Sequence, residues 1–114
     1  MDQLLRKLTL IYPPTVEDHI VDLLVNAEPP LAGFTTWKAD GHGQDFSMAS
    51  VRERVRGRAA RGVLAVVLPR SRLGTVLEEI RSRVGTPDLT YWIEPVESIG
   101  RLARVDADSA PVAA

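Results

Sequence analysis

A chain of 114 residues has room for one hydrophobic core, so a single domain is expected. Its 14 Lys and Arg against 15 Asp and Glu leave a net charge of −1, too weak a field to recruit nucleic acid or an anionic membrane surface. The absence of cysteine excludes disulfides, thiol catalysis and thiolate metal sites. The first apolar run is too short for a signal peptide and no segment approaches spanning length, so a cytoplasmic protein is expected.

Periodicity changes several times along the chain. Leu4 to Tyr12 carries Leu8 and Leu10 on one face and stops at Pro13 and Pro14, which reads as a strand. Thr15 then stands where a helix cap belongs, with Asp18 three residues on as a loose capping box. Val16, Ile20, Leu23, Leu24 and Ala27 form one helical stripe, and Pro29 and Pro30 end it. Phe34 to Gly41 alternates as a second strand, followed by the polar stretch 42–58.

Val63 to Leu68 is short, apolar and rich in β-branched residues, the composition of a buried central strand. Ser71 opens a second amphipathic helix with Leu73, Val76, Leu77, Ile80 and Val84 inward, and Glu79 and Arg83 spaced to pair on its outer side. Gly85 and Pro87 close that helix in the usual order. Leu89 to Ile93 reads as a fourth strand, and the small, polar residues 105–114 as a flexible tail.

The order β-α-β-β-α-β predicts an α+β, ferredoxin-like domain over residues 1–104, with two helices on one face of a four-stranded antiparallel sheet. The other face carries Thr9, Ile11, Phe34 or Trp37, and Tyr91 or Trp92, with the phase left open. Such an apolar face is expected to meet other copies of the chain.

Several activities are excluded on residues. Tyr12, Pro13 and Pro14 stand where a metal-carrying relative needs Cys-x-x-Cys and where an acylphosphatase needs its basic phosphate cradle. The central 63–68 strand has no aromatic for stacking bases. Neither paired carboxylates nor a Ser/His/acid set can be argued from spacing, so the chain is not expected to be an enzyme.

Two signatures remain. Gly33-x-Thr35 is followed by Gly41-His42-Gly43 before the long polar segment, and glycines so spaced let backbone N–H groups approach an anion. Val66, Val67, Leu68 and Pro69 lead into the second helix, and Pro95, Val96 and Glu97 with Arg101 follow the last predicted strand. In this order the chain resembles the PII-like signalling superfamily over residues 6–102. The resemblance implies a homotrimer binding adenine nucleotides in clefts between subunits, with a T-loop at about 42–58 reporting ligand state to a protein target. Carried over by position, Thr35 would sit near the adenine and Gly41, His42, Gly43 and Gln44 along ribose and phosphates. Arg101 and Arg104 would approach the phosphates.

Departures from the family narrow the expectation. The phosphate-holding loop ending Gly-Asp-Gly-Lys in classical members is here Gly85 to Thr90, with Leu89 and Thr90 at the second glycine and the lysine. Residues 42–58 contain no tyrosine for uridylylation. ATP and classical nitrogen signalling are therefore not expected. ADP, AMP or a small anion such as bicarbonate fits better, as in carboxysome-associated or metal-efflux-associated PII-like branches. No cofactor is required.

Plainer readings stand beside these. His42, flanked by Asp40 and Asp45, reads first as a solvent-facing loop residue, since two carboxylates alone do not complete a metal site, though a metal-responsive trimer like the cation-tolerance proteins is an alternative. His19 reads as a helix-rim residue. The arginine run from Arg52 to Arg61 reads as a solvated arm or as a polyphosphate or acidic-partner surface, and Arg101 as a trimer ion pair. A ligand-free protein adaptor is the third alternative.

Overall fold

Alternating apolar residues on four strands and one apolar stripe on each of two helices can be buried together only by laying both helices on one sheet face. The computed structural model, which describes residues 4–43 and 58–104, shows this arrangement. Strand β1 is Leu5–Tyr12, helix α1 Glu17–Val25, β2 Phe34–Gly41, β3 Ala59–Pro69, α2 Leu73–Val84 and β4 Thr90–Val96. The sheet order is β2-β3-β1-β4, antiparallel throughout, so the α+β ferredoxin-like expectation holds.

Register settles the open phase. Leu8 lies opposite Val66 and Ile93, and Leu10 opposite Leu64 and Tyr91, while Phe34 lies opposite Val66. These residues face the helices, where Leu8, Leu10, Leu64, Val66 and Leu68 pack with Ile20, Leu24, Leu73, Val76 and Ile80 as the core. The open face instead carries Trp37 opposite Val63, and Thr9 between Ala65 and Trp92. Phe34 and Tyr91 therefore leave the open face to the two tryptophans.

Both helices begin differently from expectation. Single 3₁₀ turns, Pro14–Val16 and Arg70–Arg72, precede them, and neither Thr15 nor Ser71 caps. After proline the chain enters through a tight turn closed by Val16 N–H donating to the Pro13 carbonyl at 3.1 Å. Helix α1 ends at Val25, before the prolines, where Asn26 returns its side-chain amide to the Asp22 carbonyl at 2.9 Å. The Glu28–Pro29 bond is cis. On α2 the surface pair is Arg81 with Glu78, bidentate at 2.5 and 2.9 Å, rather than Glu79 with Arg83. Gly85 ends α2 in the left-handed conformation at φ 70°, which a side chain would strain.

Strand β4 runs from Thr90 to Val96 and so includes Pro95 and Val96, beyond the Leu89–Ile93 span that periodicity predicts. As an edge strand it has an outward side that needs no N–H donor, so proline is accommodated there. Residues 105–114, read as a flexible tail, lie outside the described residues.

Tyr12 is fully buried, and its hydroxyl donates to Glu17 Oε1 at 2.7 Å, joining the end of β1 to the start of α1. Burial first, and then this bond to a carboxylate, push its pKa above the ordinary value near 10. Folding thus favours the protonated phenol, so the associated stability is complete below about pH 10 and is lost as pH climbs through the raised value. Tyr12→Phe is expected to cost about 1 kcal/mol near neutral pH and to flatten this alkaline limb. Urea titrations at a series of pH values would show whether the two curves differ only there.

Candidate functional site at the base of the 42–58 segment

The hairpin of β2 and β3 runs to the Gly41–Ala59 pair, so the chain leaves and re-enters the sheet at neighbouring positions. Just beyond, Asp40 Oδ2 and Arg58 Nη1 stand 3.5 Å apart, both half exposed. An exposed pair of this kind is worth at most about 1 kcal/mol, but it links the two ends of the segment.

Arg61 lies one step deeper. A Cβ on Gly41 would sit 3.0 Å from Arg61 Cγ, so the arginine stem passes directly over the glycine. Its Nη1 donates to the Ala60 carbonyl at 2.9 Å, and its Nη2 stands 3.2 Å from Asp88 Oδ2. Because β1 separates β3 from β4, the side chain reaches across the end of β1 to the loop before β4. Only 17% of it is exposed. Asp88 N–H in turn donates to Thr86 Oγ1 at 3.3 Å. The end of β2, the start of β3 and the loop before β4 thus meet around one arginine side chain.

Among the expected site residues, Gly41, His42 and Gly43 follow one another at the end of β2, and His42 is exposed. Neither glycine has positive φ. Gly41 is explained by the Arg61 stem, and nothing lies within 4 Å of a Cβ placed on Gly43. Thr35 is exposed on the same strand, near its other end, about 20 Å from Gly41 at strand rise. Gln44 lies outside the described residues. Arg101 is exposed and follows β4, and Arg104 closes the 3₁₀ turn Leu102–Arg104. Strands β2 and β4 are opposite edges of the sheet, about 14 Å apart at three strand spacings, and β4 ends beside Leu5 rather than beside the Gly41 end. One chain therefore does not bring Thr35 and Gly41 together with Arg101.

The Arg61–Asp88 link spans β3 and α2, and short-range spacing carries no signal for it, so the sequence shows Arg61 only as the end of an arginine run and Asp88 only as part of a shortened loop. A separate apolar groove of about 430 Å³ lies between α2 and β4, with Leu77, Ile80, Pro87 and Tyr91 among its walls. It touches none of the expected site residues. Among the described residues no three His, Cys, Asp or Glu side chains converge as a metal site, and no helix is long and apolar enough to cross a membrane.

Comparison with known proteins agrees with this architecture. A crystal structure of a DUF3240 family protein from Shewanella baltica OS155 superposes with a TM-score of 0.72 at 22% identity, covering 90% of this chain and 99% of the other. CPII from Thiomonas intermedia K12, a nitrogen regulatory PII-like protein bound to ADP, AMP and bicarbonate, superposes at 0.64 and 20% identity, covering 86% and 94%. A Bacillus cereus protein related to NIF3 also reaches 0.64 at 13% identity, over 84% of this chain but 26% of its own. No curated protein matches the sequence. The model of DUF3240, a family of proteins of unknown function, matches residues 2–103. The chain belongs to the DUF3240 family and folds as a PII-like, ferredoxin-like domain.

Proposed function

We propose that this protein is a PII-like sensor that binds ADP or AMP, alone or with a small anion such as bicarbonate, in a cleft between copies of the chain. The observation that carries the reading is the likeness to CPII over most of both chains, together with that protein's bound ADP, AMP and bicarbonate. Thr35 and Gly41 lie near opposite ends of β2 and β2 and β4 are opposite edges of the sheet, which supports a cleft completed by residues of more than one copy. A bidentate guanidinium at that junction suits a phosphate or bicarbonate.

The assembly is a homotrimer formed through the open sheet face. Trp37 and Trp92 are 47% and 43% exposed there, and large aromatic side chains on one open sheet face favour contact with another copy. The Thr9 hydroxyl, buried on this same face, has no hydrogen-bond partner among the described residues. The segment beginning at His42 is the element that reports the ligand to a protein target.

Arg101→Ala tests the cleft. Wild-type protein with excess AMP or ADP is expected to melt higher by an amount that grows with the logarithm of ligand concentration. The variant is expected to lose that shift while keeping its ligand-free melting point. A wild-type protein that shows no heat of binding with either nucleotide at near-millimolar concentration would remove this reading.

A further inference from the structure

The open face of the sheet is largely apolar, yet it carries two residues of opposite charge. Lys7 alternates with Thr9 along β1 and Glu94 with Trp92 along β4, so both stand on that face. They are direct cross-strand partners, with Val67 on the other side of Lys7. Opposite charges so placed ordinarily pair within the sheet. Here they do not. Glu94 Oε1 instead accepts the Trp92 indole N–H at 3.0 Å, along its own strand, and among the described residues Lys7 forms no ion pair. The third charged residue of the face, Arg61, is taken by Asp88.

Lys7 is half-buried on an interior strand. Its ammonium cannot enter an interface unpaired, because a desolvated charge left without a counter-charge opposes association. The face carries its own counter-charge, so a second copy of this chain can supply it. We propose that Lys7 of one copy pairs with Glu94 of the next, through the carboxylate oxygen that the indole does not hold. In a closed ring each copy gives Lys7 to one neighbour and Glu94 to the other. The pair fixes how the faces meet, which the apolar contacts of Trp37 and Trp92 leave undetermined. The inference rests on the assembly proposed above and adds the residues that select another copy of this chain as the occupant of the face.

Sedimentation equilibrium at fixed ionic strength tests the pair, with circular dichroism melts to verify folding. Lys7→Glu and Glu94→Lys each set like charges opposite one another and are expected to weaken association roughly tenfold or more per contact. The double variant Lys7→Glu/Glu94→Lys is expected to recover the wild-type mass, and it carries the test even where a single variant unfolds. Rescue alone would also follow from a pair within one chain. Affinity-tagged wild type is therefore mixed with the untagged double variant and left to exchange. A swapped chain beside a wild-type one sets like charges at every junction between them, so the tagged assemblies are expected to exclude it. Free mixing overturns the inference, as do single variants that fold and keep wild-type association, or a double variant that stays as single chains. A wild type of single-chain mass removes the assembly and this pair with it, whereas a three-chain wild type that mixes freely with the swapped chain removes the pair alone.

Discussion

Replacing Gly62 by alanine is expected to destabilise the fold by about 3 kcal/mol, near the upper end of ordinary overpacking effects. A Cβ at this position would lie 2.3 Å from Tyr12 Cε1, 2.8 Å from Cζ and 3.1 Å from Cδ1. Gly62 and Tyr12 are direct cross-strand partners, so the ring lies flat over the glycine. The ring has little room to yield, because it is fully buried and its hydroxyl is tied to Glu17. Denaturant titration should show a lower midpoint with an unchanged slope. Shrinking the ring should relieve the clash, so Gly62→Ala in a Tyr12→Ala background is expected to cost little further, giving a large coupling term in the cycle. Wild-type stability in the single variant would show that β3 shifts freely against β1.

The second large effect concerns assembly. Trp92→Glu is expected to convert the proposed trimer to single chains. Trp92 stands on the open face beside buried Thr9, with its indole N–H donating to Glu94 Oε1 at 3.0 Å. Its polar edge is therefore satisfied within the chain, which leaves the apolar ring for a neighbouring copy. A buried interface tryptophan commonly accounts for 2 kcal/mol or more per copy, and a carboxylate in its place would have to be desolvated. Sedimentation equilibrium should give three times the 12.5 kDa chain for wild type and a single-chain mass for the variant. A variant that keeps the wild-type mass would place the interface elsewhere.

The sequence made the order of elements legible because each core residue repeats at a period that only one element type satisfies. Ile20, Leu23 and Leu24, or Leu73, Val76 and Ile80, can share a face only on a helix, and Leu8 and Leu10 only on a strand. The helix starts were less legible. Thr15 and Ser71 have capping chemistry, but the prolines before them impose a tight turn whose carbonyls close the first bonds instead. Pro95 likewise looked like a boundary, and only the place of β4 at the sheet edge makes it an interior residue. Which aromatics share the open face depends on register, which a one-residue change reverses.

The candidate site divides along the same line. The Gly41–Gly43 spacing is local and could be read directly, whereas Gly41 itself lies in β2 and the reason for its glycine is the stem of Arg61, a side chain from the next strand. Asp88 reaches that arginine from across β1. Contacts of that kind depend on strand order, which no window of sequence contains.

The closing of the β2–β3 ladder at Gly41 and Ala59 has an evolutionary consequence. The ends of the intervening segment are already held side by side by the sheet, so lengthening that segment adds only loop-closure entropy. Each doubling in length costs about 0.6 kcal/mol, less than a single well-placed core methyl group contributes. Insertions and deletions can therefore accumulate between these two positions while the domain beneath is unchanged. The sheet pairing that carries the segment is thereby independent of the segment's length.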